Sequence, residues 1–148
     1  LKDKTFQLID ININRATGAL RFLEDFFRVS GNIFSDLSAD LKDIRHSLNM
    51  LYPYDKLIKS RDVSKDHGSQ RSTESETQKR SLDRIVLSNF RRVEESLRSL
   101  EELSKSVHIK EDRSSVIKKL RFTMYQIEKD YFHRRNYAKG DLEEGEDQ

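Results

Sequence analysis

Laid on itself with an offset of 77 positions, the chain matches at six of the fourteen residues from Asn12 to Asp25: Asn12 with Asn89, Arg15 with Arg92, Leu20 with Leu97, Arg21 with Arg98, Leu23 with Leu100 and Glu24 with Glu101. Chance gives about one such match, so the recurrence reads as an internal repeat. An offset of 76 brings Leu41, Lys42, Ile44, Arg45 and Leu48 onto Ile117, Lys118, Leu120, Arg121 and Met124. Every repeated segment is apolar at steps of three and four. Ile9, Ile13, Ala16, Leu20, Leu23 and Phe27 form the first stripe, and Leu37, Leu41, Ile44, Leu48 and Leu51 the second. Val86, Phe90, Val93, Leu97 and Leu100 form the third, and Ile117, Leu120, Met124, Ile127 and Tyr131 the fourth. That spacing puts each set on one face of a helix. The expected fold is all-α: a helical hairpin, duplicated, whose halves bury their stripes against each other as a pseudo-twofold four-helix bundle.

Punctuation sets the boundaries. Ser30-Gly31 closes the first helix, Ser35 or Ser38 caps the second, and Pro53 stops it. Residues 60–72 hold one apolar residue, Val63, among Asp, Ser, Lys and Gly, and read as a loop. Thr73 and Glu76 have the spacing of a capping box for a third helix reaching about Val107, and a fourth helix starts near Asp112 and passes Tyr131. The expected organisation is one helical domain over 1–138, with repeat halves at about 5–51 and 74–131 and the loop 60–72 between them. Residues 139–148, mostly acidic and aperiodic, read as a disordered tail or a linker.

Composition excludes several chemistries. Hydrophobic residues are 34% and charged residues 36% of the chain, which suits slender helices with wide solvated faces. The absence of Cys removes disulfides, thiolate metal sites and cysteine nucleophiles, and fits a reducing compartment. No apolar run approaches the roughly 18 residues of a membrane span and no signal-peptide core opens the chain, so a cytoplasmic protein with no membrane partner is expected. A net charge of +2 with both signs interspersed lacks the sustained basic field of a nucleic-acid binder. The four histidines have no metal-site spacing, and no P-loop, GxGxxG or HExxH pattern is present.

On a helical wheel Asn12 falls near the middle of the first helix's apolar arc and Arg15 falls inside it; Asn89 and Arg92 repeat the placement on the third helix. Polar groups in such an arc either brace the hairpins or line a ligand pocket between them, since an unpaired buried amide or guanidinium is costly. The expectation is that these four residues are at least half buried and face one polar cavity. Arg21 with Glu24, and Arg98 with Glu101, are three apart and read first as surface ion pairs; Arg45 and Arg121 sit at the borders of their stripes. The loop Arg61 to Gly68 collects a guanidinium, two carboxylates and an imidazole. Such a set can hold a phosphate with Arg61 and a magnesium ion with Asp62 and Asp66.

The strings IDININRATGALRFLEDFFR, LKDIRHSL, SRDVSKDHGS, LSNFRRVEESLRSLEEL and LRFTMYQIEK, in that order, resemble the helical domain often fused in front of thiamine-phosphate synthase. That domain is regarded as an alternative hydroxymethylpyrimidine-phosphate kinase. The resemblance runs from about Phe6 to Lys129 and includes Asn12, Arg15, Gly18, Leu20, Arg21, Glu24, Arg45, His46, Arg61, Asp62, Asp66, Gly68, Glu76, Asn89, Arg92, Arg98 and Glu101. The chain departs from the family pattern at His67, Thr77 and Lys79. The resemblance implies transfer of the ATP γ-phosphoryl, with magnesium, to hydroxymethylpyrimidine phosphate. Arg15, Arg61 and Arg92 are then the phosphate clamps, Asp62 and Asp66 the magnesium ligands, and Asn12 and Asn89 orienting donors. Arg21, Glu24, Arg45, Arg98 and Glu101 complete the substrate site. A small-molecule substrate, a synthase as fusion or partner, and a second copy of the chain are the partners this reading allows. The competing reading is a non-catalytic helical interaction or regulatory module, which would show a broad exposed apolar patch instead of a polar pocket around Asn12 and Arg15.

Overall fold

A computed structural model describes residues 2–63, 81–106 and 113–146, with side chains placed from Lys4 to Tyr137 within those ranges. Among the described residues it holds five α-helices, one 3-10 turn and no strand. Helix α1, Lys2–Val29, buries all six residues of its predicted stripe. The backbone N–H and the hydroxyl of Ser30 both donate to the Phe26 carbonyl, and Gly31 turns the chain away at φ +91°. A Cβ would strain that conformation, which is why the break falls on a glycine.

A 3-10 turn, Asn32–Phe34, runs directly into α2, Ser35–Asn49. Neither serine expected as a cap serves as one. Phe34 holds the N-cap position, the Ser35 hydroxyl donates back to the Asn32 carbonyl, and the Ser38 hydroxyl donates across to the Glu24 carbonyl of α1 at 3.2 Å. The turn replaces a side-chain cap, and Ser38 staples two helices instead. Helix α2 ends at Asn49 with Met50 as its C-cap, earlier than the stop expected at Pro53 and short of Leu51, and Pro53 instead opens a short helix α3, Tyr54–Ser60, by accepting from the N–H groups of Lys56 and Leu57. Seven residues are too few for a stripe to register, so the sequence places no helix there.

Helix α4, Leu82–Ser104, starts at Ser81, whose hydroxyl accepts from the Arg84 N–H at 3.3 Å. The proposed capping box at Thr73 and Glu76 lies outside the described residues. Helix α5, Arg113–Glu146, passes Tyr131 and runs through the stretch that apolar spacing assigns to a tail. Ala, Lys, Leu and Glu sustain a helix by propensity after the buried stripe has ended.

Side-chain contacts fix the directions. Glu24 meets Arg45 and Phe6 meets Tyr52, so α2 runs antiparallel to α1. Glu101 meets Arg121 and Asp83 meets Arg135, so α5 runs antiparallel to α4. Tyr131 packs on Phe26 and Phe27 while Arg113 lies over the Tyr52 ring beside Phe6, which aligns α5 with α1 and therefore opposes α4 to α1. Helix α1 packs on α2, α3 and α4, α5 packs on α4, and a smaller α2 to α5 contact completes the core. One end of that core is a cluster of Phe27, Phe34, Phe90 and Tyr131 with ring centroids 5.4 to 6.1 Å apart. No described helix is long and apolar enough to cross a membrane.

Candidate functional site

Ion pairs at positions that the offsets of 76 and 77 align tie α1 to α2 and α4 to α5. In the first, Arg45 donates to Glu24 from Nε at 2.7 Å and Nη2 at 3.0 Å. In the second, Arg121 lies on Glu101 with Nε at 3.0 Å and Nη2 at 2.9 Å, and its Nη1 reaches the Tyr125 hydroxyl at 3.3 Å. These pairs are shielded from water, where a charge-assisted bond holds its geometry and a lone charge would be costly. Sequence spacing couples Glu24 to Arg21 and Glu101 to Arg98; the helix crossing gives both carboxylates a closer partner. Arg21 is exposed, and Arg98 keeps only 3.7 Å approaches to Glu101 and Glu102.

The repeated Asn and Arg residues do not gather round one cavity. Asn12 and Asn89 are buried, but each donates its amide to its own helix, at Leu8 and Ile85, both at 2.8 Å. Arg15 and Arg92 are exposed; Arg92 donates to the Asn89 side-chain oxygen Oδ1 at 3.3 Å. The wheel misplaces Arg15 because it counts Leu8 and Ile11 as core, whereas they are 48% and 42% exposed. The apolar arc of α1 is wider than its buried face. Asn89 adjoins Phe90, which touches Phe27, fifteen residues beyond Asn12. At 1.5 Å of rise per residue the two amides are about 22 Å apart along α1.

Arg61 is already engaged. Its Nε and Nη2 donate to Asp10 at 2.6 and 2.9 Å, Asn14 adds a bond to the same carboxylate at 3.2 Å, and Gln7 donates to the Ser60 carbonyl at 2.6 Å. Together these seat the end of α3 on α1. Asp10, 4% exposed, was missed by the repeat comparison because its counterpart is Leu87. Its place between Ile9 and Ile13 was the available signal, since a carboxylate at the edge of a stripe needs a cation. Asp62 follows in the chain and is exposed, and Asp66 lies outside the described residues. Among the described residues no three acidic or histidine side chains cluster as a metal cage.

A cleft of about 600 Å³ opens between α4 and α5, lined by Arg91, Glu94, Glu95, Arg98, Ser99, Tyr125 and Glu128. Of these only Arg98 was selected from sequence. Glu94 forms the floor: it is 6% exposed, and its carboxyl lies against that of Glu128. Burial, reinforced by the adjacent Glu128 carboxyl, pushes its pKa up from 4.5 to about 9. Glu94 therefore keeps its proton at neutral pH. Repeat matching hides both, since Glu94 corresponds to Thr17 and Glu128 to Tyr52.

A stability prediction follows from this proton. The native state retains it above pH 4.5 where the unfolded chain releases it, so the pair's contribution to stability is full in acid and is lost as pH rises toward 9. Glu94→Gln removes that linkage. The variant is expected to gain on the order of 1–3 kcal/mol over wild type at pH 8 and much less at pH 5 in urea unfolding. Equal gains at both pH values would show that the pair holds no extra proton.

The ThiD2 family matches residues 7–130. A thiamine-phosphate synthase of Nostoc sp. is 30% identical over 128 residues, covering 86% of this chain and 35% of that protein. The synthase of Thermosynechococcus vestitus is 33% identical over 122 residues, covering 82% and 34%. That of a Synechococcus species is 36% identical over 107 residues, covering 72% and 30%. The chain thus spans about a third of the length of these curated relatives. No solved structure matches.

Proposed function

The chain belongs to the ThiD2 family, linked through its relatives to thiamine biosynthesis, and from that premise we propose that it is a phosphotransferase converting hydroxymethylpyrimidine phosphate to the diphosphate with ATP. We read the α1–α2 and α4–α5 hairpins as duplicates in one four-helix bundle, a reading supported by the matched Glu24–Arg45 and Glu101–Arg121 pairs. An adjoining synthase, fused or associated, is the consumer of the product in this reading.

The observation that carries the proposal is the α4–α5 cleft, where two guanidiniums without close ion pairs stand over a polar floor. Arg91 makes no ion pair among the described residues, and the side chain of Arg98 is 56% exposed with only long approaches to carboxylates. Arg45, Arg61 and Arg121 are already in short ion pairs, which suits them to holding helices together. In the reaction an oxygen of the substrate phosphate attacks the γ-phosphorus, the bond from that phosphorus to the β-bridging oxygen breaks, and ADP leaves. Two anions must be brought in line while their charge is screened, which is the task of guanidiniums. The attacking oxygen is already anionic, so no strong general base is needed. Arg15 and Arg92, which do not line this cleft, have no part in it. Magnesium in this reading is carried by the nucleotide, whose phosphates supply most of its ligands.

The test couples diphosphate formation to a thiamine-phosphate synthase, with ATP and magnesium supplied. Wild type is expected to turn over, and Arg98→Ala to lower kcat/KM at least about tenfold, the loss of about 1.4 kcal/mol of transition-state binding, with Tm unchanged. Arg98→Ala within twofold of wild type would move the site away from this cleft.

A further inference from the structure

Helices α4 and α5 run antiparallel, so the cleft between them has two unlike ends. Arg91 and Glu94 lie beside Glu128 at one end, and Arg98, Ser99 and Tyr125 form the other. Seven residues of helix, about 10 Å, separate Arg91 from Arg98. The Arg98 end is organised from behind. Glu101 holds Arg121 through two contacts of 3.0 and 2.9 Å, and Arg98 through a longer one of 3.7 Å. Arg121, fixed in this way, donates from Nη1 to the Tyr125 hydroxyl at 3.3 Å. A phenol oxygen that accepts from a guanidinium turns its own proton away from that cation, and the bond it accepts polarises its O–H. Tyr125 lines the cleft and is 39% exposed, whereas Arg121 behind it is 9% exposed. Among the described residues the hydroxyl makes its bond as an acceptor and donates to nothing.

We propose that Tyr125 donates its hydroxyl proton to a phosphate oxygen at the Arg98 end of the α4–α5 cleft, with Arg121 as the positioning residue that sets the direction of the hydroxyl. The assignment rests on the kinase reading for the ligand that carries the phosphate. Net charge does not select this spot, because Arg91 and Arg98 are offset across the lining by Glu95 and Glu128. An anion is held where donors converge, and Arg98, Ser99 and Tyr125 supply three kinds together. Glu101, behind Arg98, is already neutralised by Arg121 and does not oppose an anion there. Packing alone would ask only for the Tyr125 ring, which meets Phe122 edge-on at 5.6 Å. The first hairpin supplies the contrast. Its matched pair, Glu24 with Arg45, is built in the same way, but Asn49 stands where Tyr125 does, donating to the Arg45 carbonyl at 3.0 Å and accepting from Thr17 at 3.5 Å. Phe22 likewise stands in place of Ser99. The ion pair is repeated while the donors in front of it are not, which assigns the phosphate to the second hairpin.

The experiment titrates the whole chain calorimetrically with hydroxymethylpyrimidine phosphate and with the parent alcohol, which lacks the phosphate. Tyr125→Phe keeps the ring, and is expected to weaken the phosphate ester at least about tenfold, as loss of a bond to a charged acceptor does, with the alcohol within about twofold and Tm near wild type. Arg121→Lys leaves a charge for Glu101 but cannot also reach the hydroxyl. It should weaken the ester about fivefold or more when Tyr125 is present, and less than about twofold when added to Tyr125→Phe. Thermal unfolding shows which variants are folded at the titration temperature. Equal losses from Arg121→Lys in both backgrounds would overturn the positioning role, since a merely structural effect does not depend on the hydroxyl. Tyr125→Phe binding the ester within about twofold of wild type, with wild-type turnover intact, would overturn the proposal and leave the kinase reading to Arg98. Equal losses for ester and alcohol would overturn it as well, because Tyr125 would then meet the ring instead of the phosphate. A loss confined to the ester, in a protein whose wild type shows no turnover, would uphold the proposal and remove the kinase reading. Wild type that binds no ester would contradict both.

Discussion

Arg121→Ala is expected to destabilise the protein by about 3–5 kcal/mol, the usual consequence of leaving one member of a buried ion pair alone. Glu101 and Arg121 are both buried, and the guanidinium holds Glu101 Oε2 through two nitrogens. With Arg121 gone, the nearest cation for Glu101 is Arg98, 3.7 Å away and largely solvated, which cannot restore the lost bonds. Arg121 also stacks on Phe122, 5.0 Å from the ring centroid, so the truncation removes packing as well as charge. A double variant, Arg121→Met with Glu101→Leu, should recover most of the loss, since no charge is then buried. Urea unfolding of the three proteins checks this. A loss under about 1 kcal/mol for Arg121→Ala would mean that the pair behaves as a surface salt bridge. The matched pair, Arg45 with Glu24, is somewhat less shielded, and Arg45→Ala should cost less.

The second large effect is expected at Tyr131, where truncation to Ala should cost about 3–5 kcal/mol. Its ring is fully buried and touches Phe26 at 6.0 Å, Phe27 at 5.4 Å, Phe34 at 5.5 Å and Phe90 at 5.7 Å. One side chain of α5 thus packs against α1, the 3-10 turn and α4 together. The cavity left by its removal would be lined by four rings that cannot all collapse inward. Tyr131→Phe keeps the ring and should cost about 1 kcal/mol or less. Similar Tm values for Tyr131→Ala and Tyr131→Phe would place the stability of this end elsewhere.

Legibility from sequence follows the range of each interaction. The stripes of α1, α2 and α4 read correctly because periodic burial is written into consecutive turns: Ile9 to Phe27 and Val86 to Leu100 are buried as the spacing demands. Helix α3 was invisible because it is shorter than two turns and its one buried hydrophobe, Leu57, makes no pattern. Arg15 and Arg92 were placed by a wheel that cannot know which part of an apolar arc another helix covers. Repeat matching pointed to Glu24, Arg45, Glu101 and Arg121 as special, but it saw the near neighbour on the same helix before the partner across the crossing. Its deeper limit is that it finds what the halves share. The candidate floor of the cleft, Glu94 and Glu128, consists of what they do not share, and only the packing of α4 on α5 brings the two carboxyls together.

The measurement closest to the central claim is the phosphorus spectrum of the purified chain incubated with ATP, magnesium and hydroxymethylpyrimidine phosphate. The account predicts that the monoester resonance disappears in step with ATP, replaced by the coupled pair of resonances of a diphosphate ester and by those of ADP. An unchanged monoester signal, or ATP consumed to inorganic phosphate alone, would contradict it.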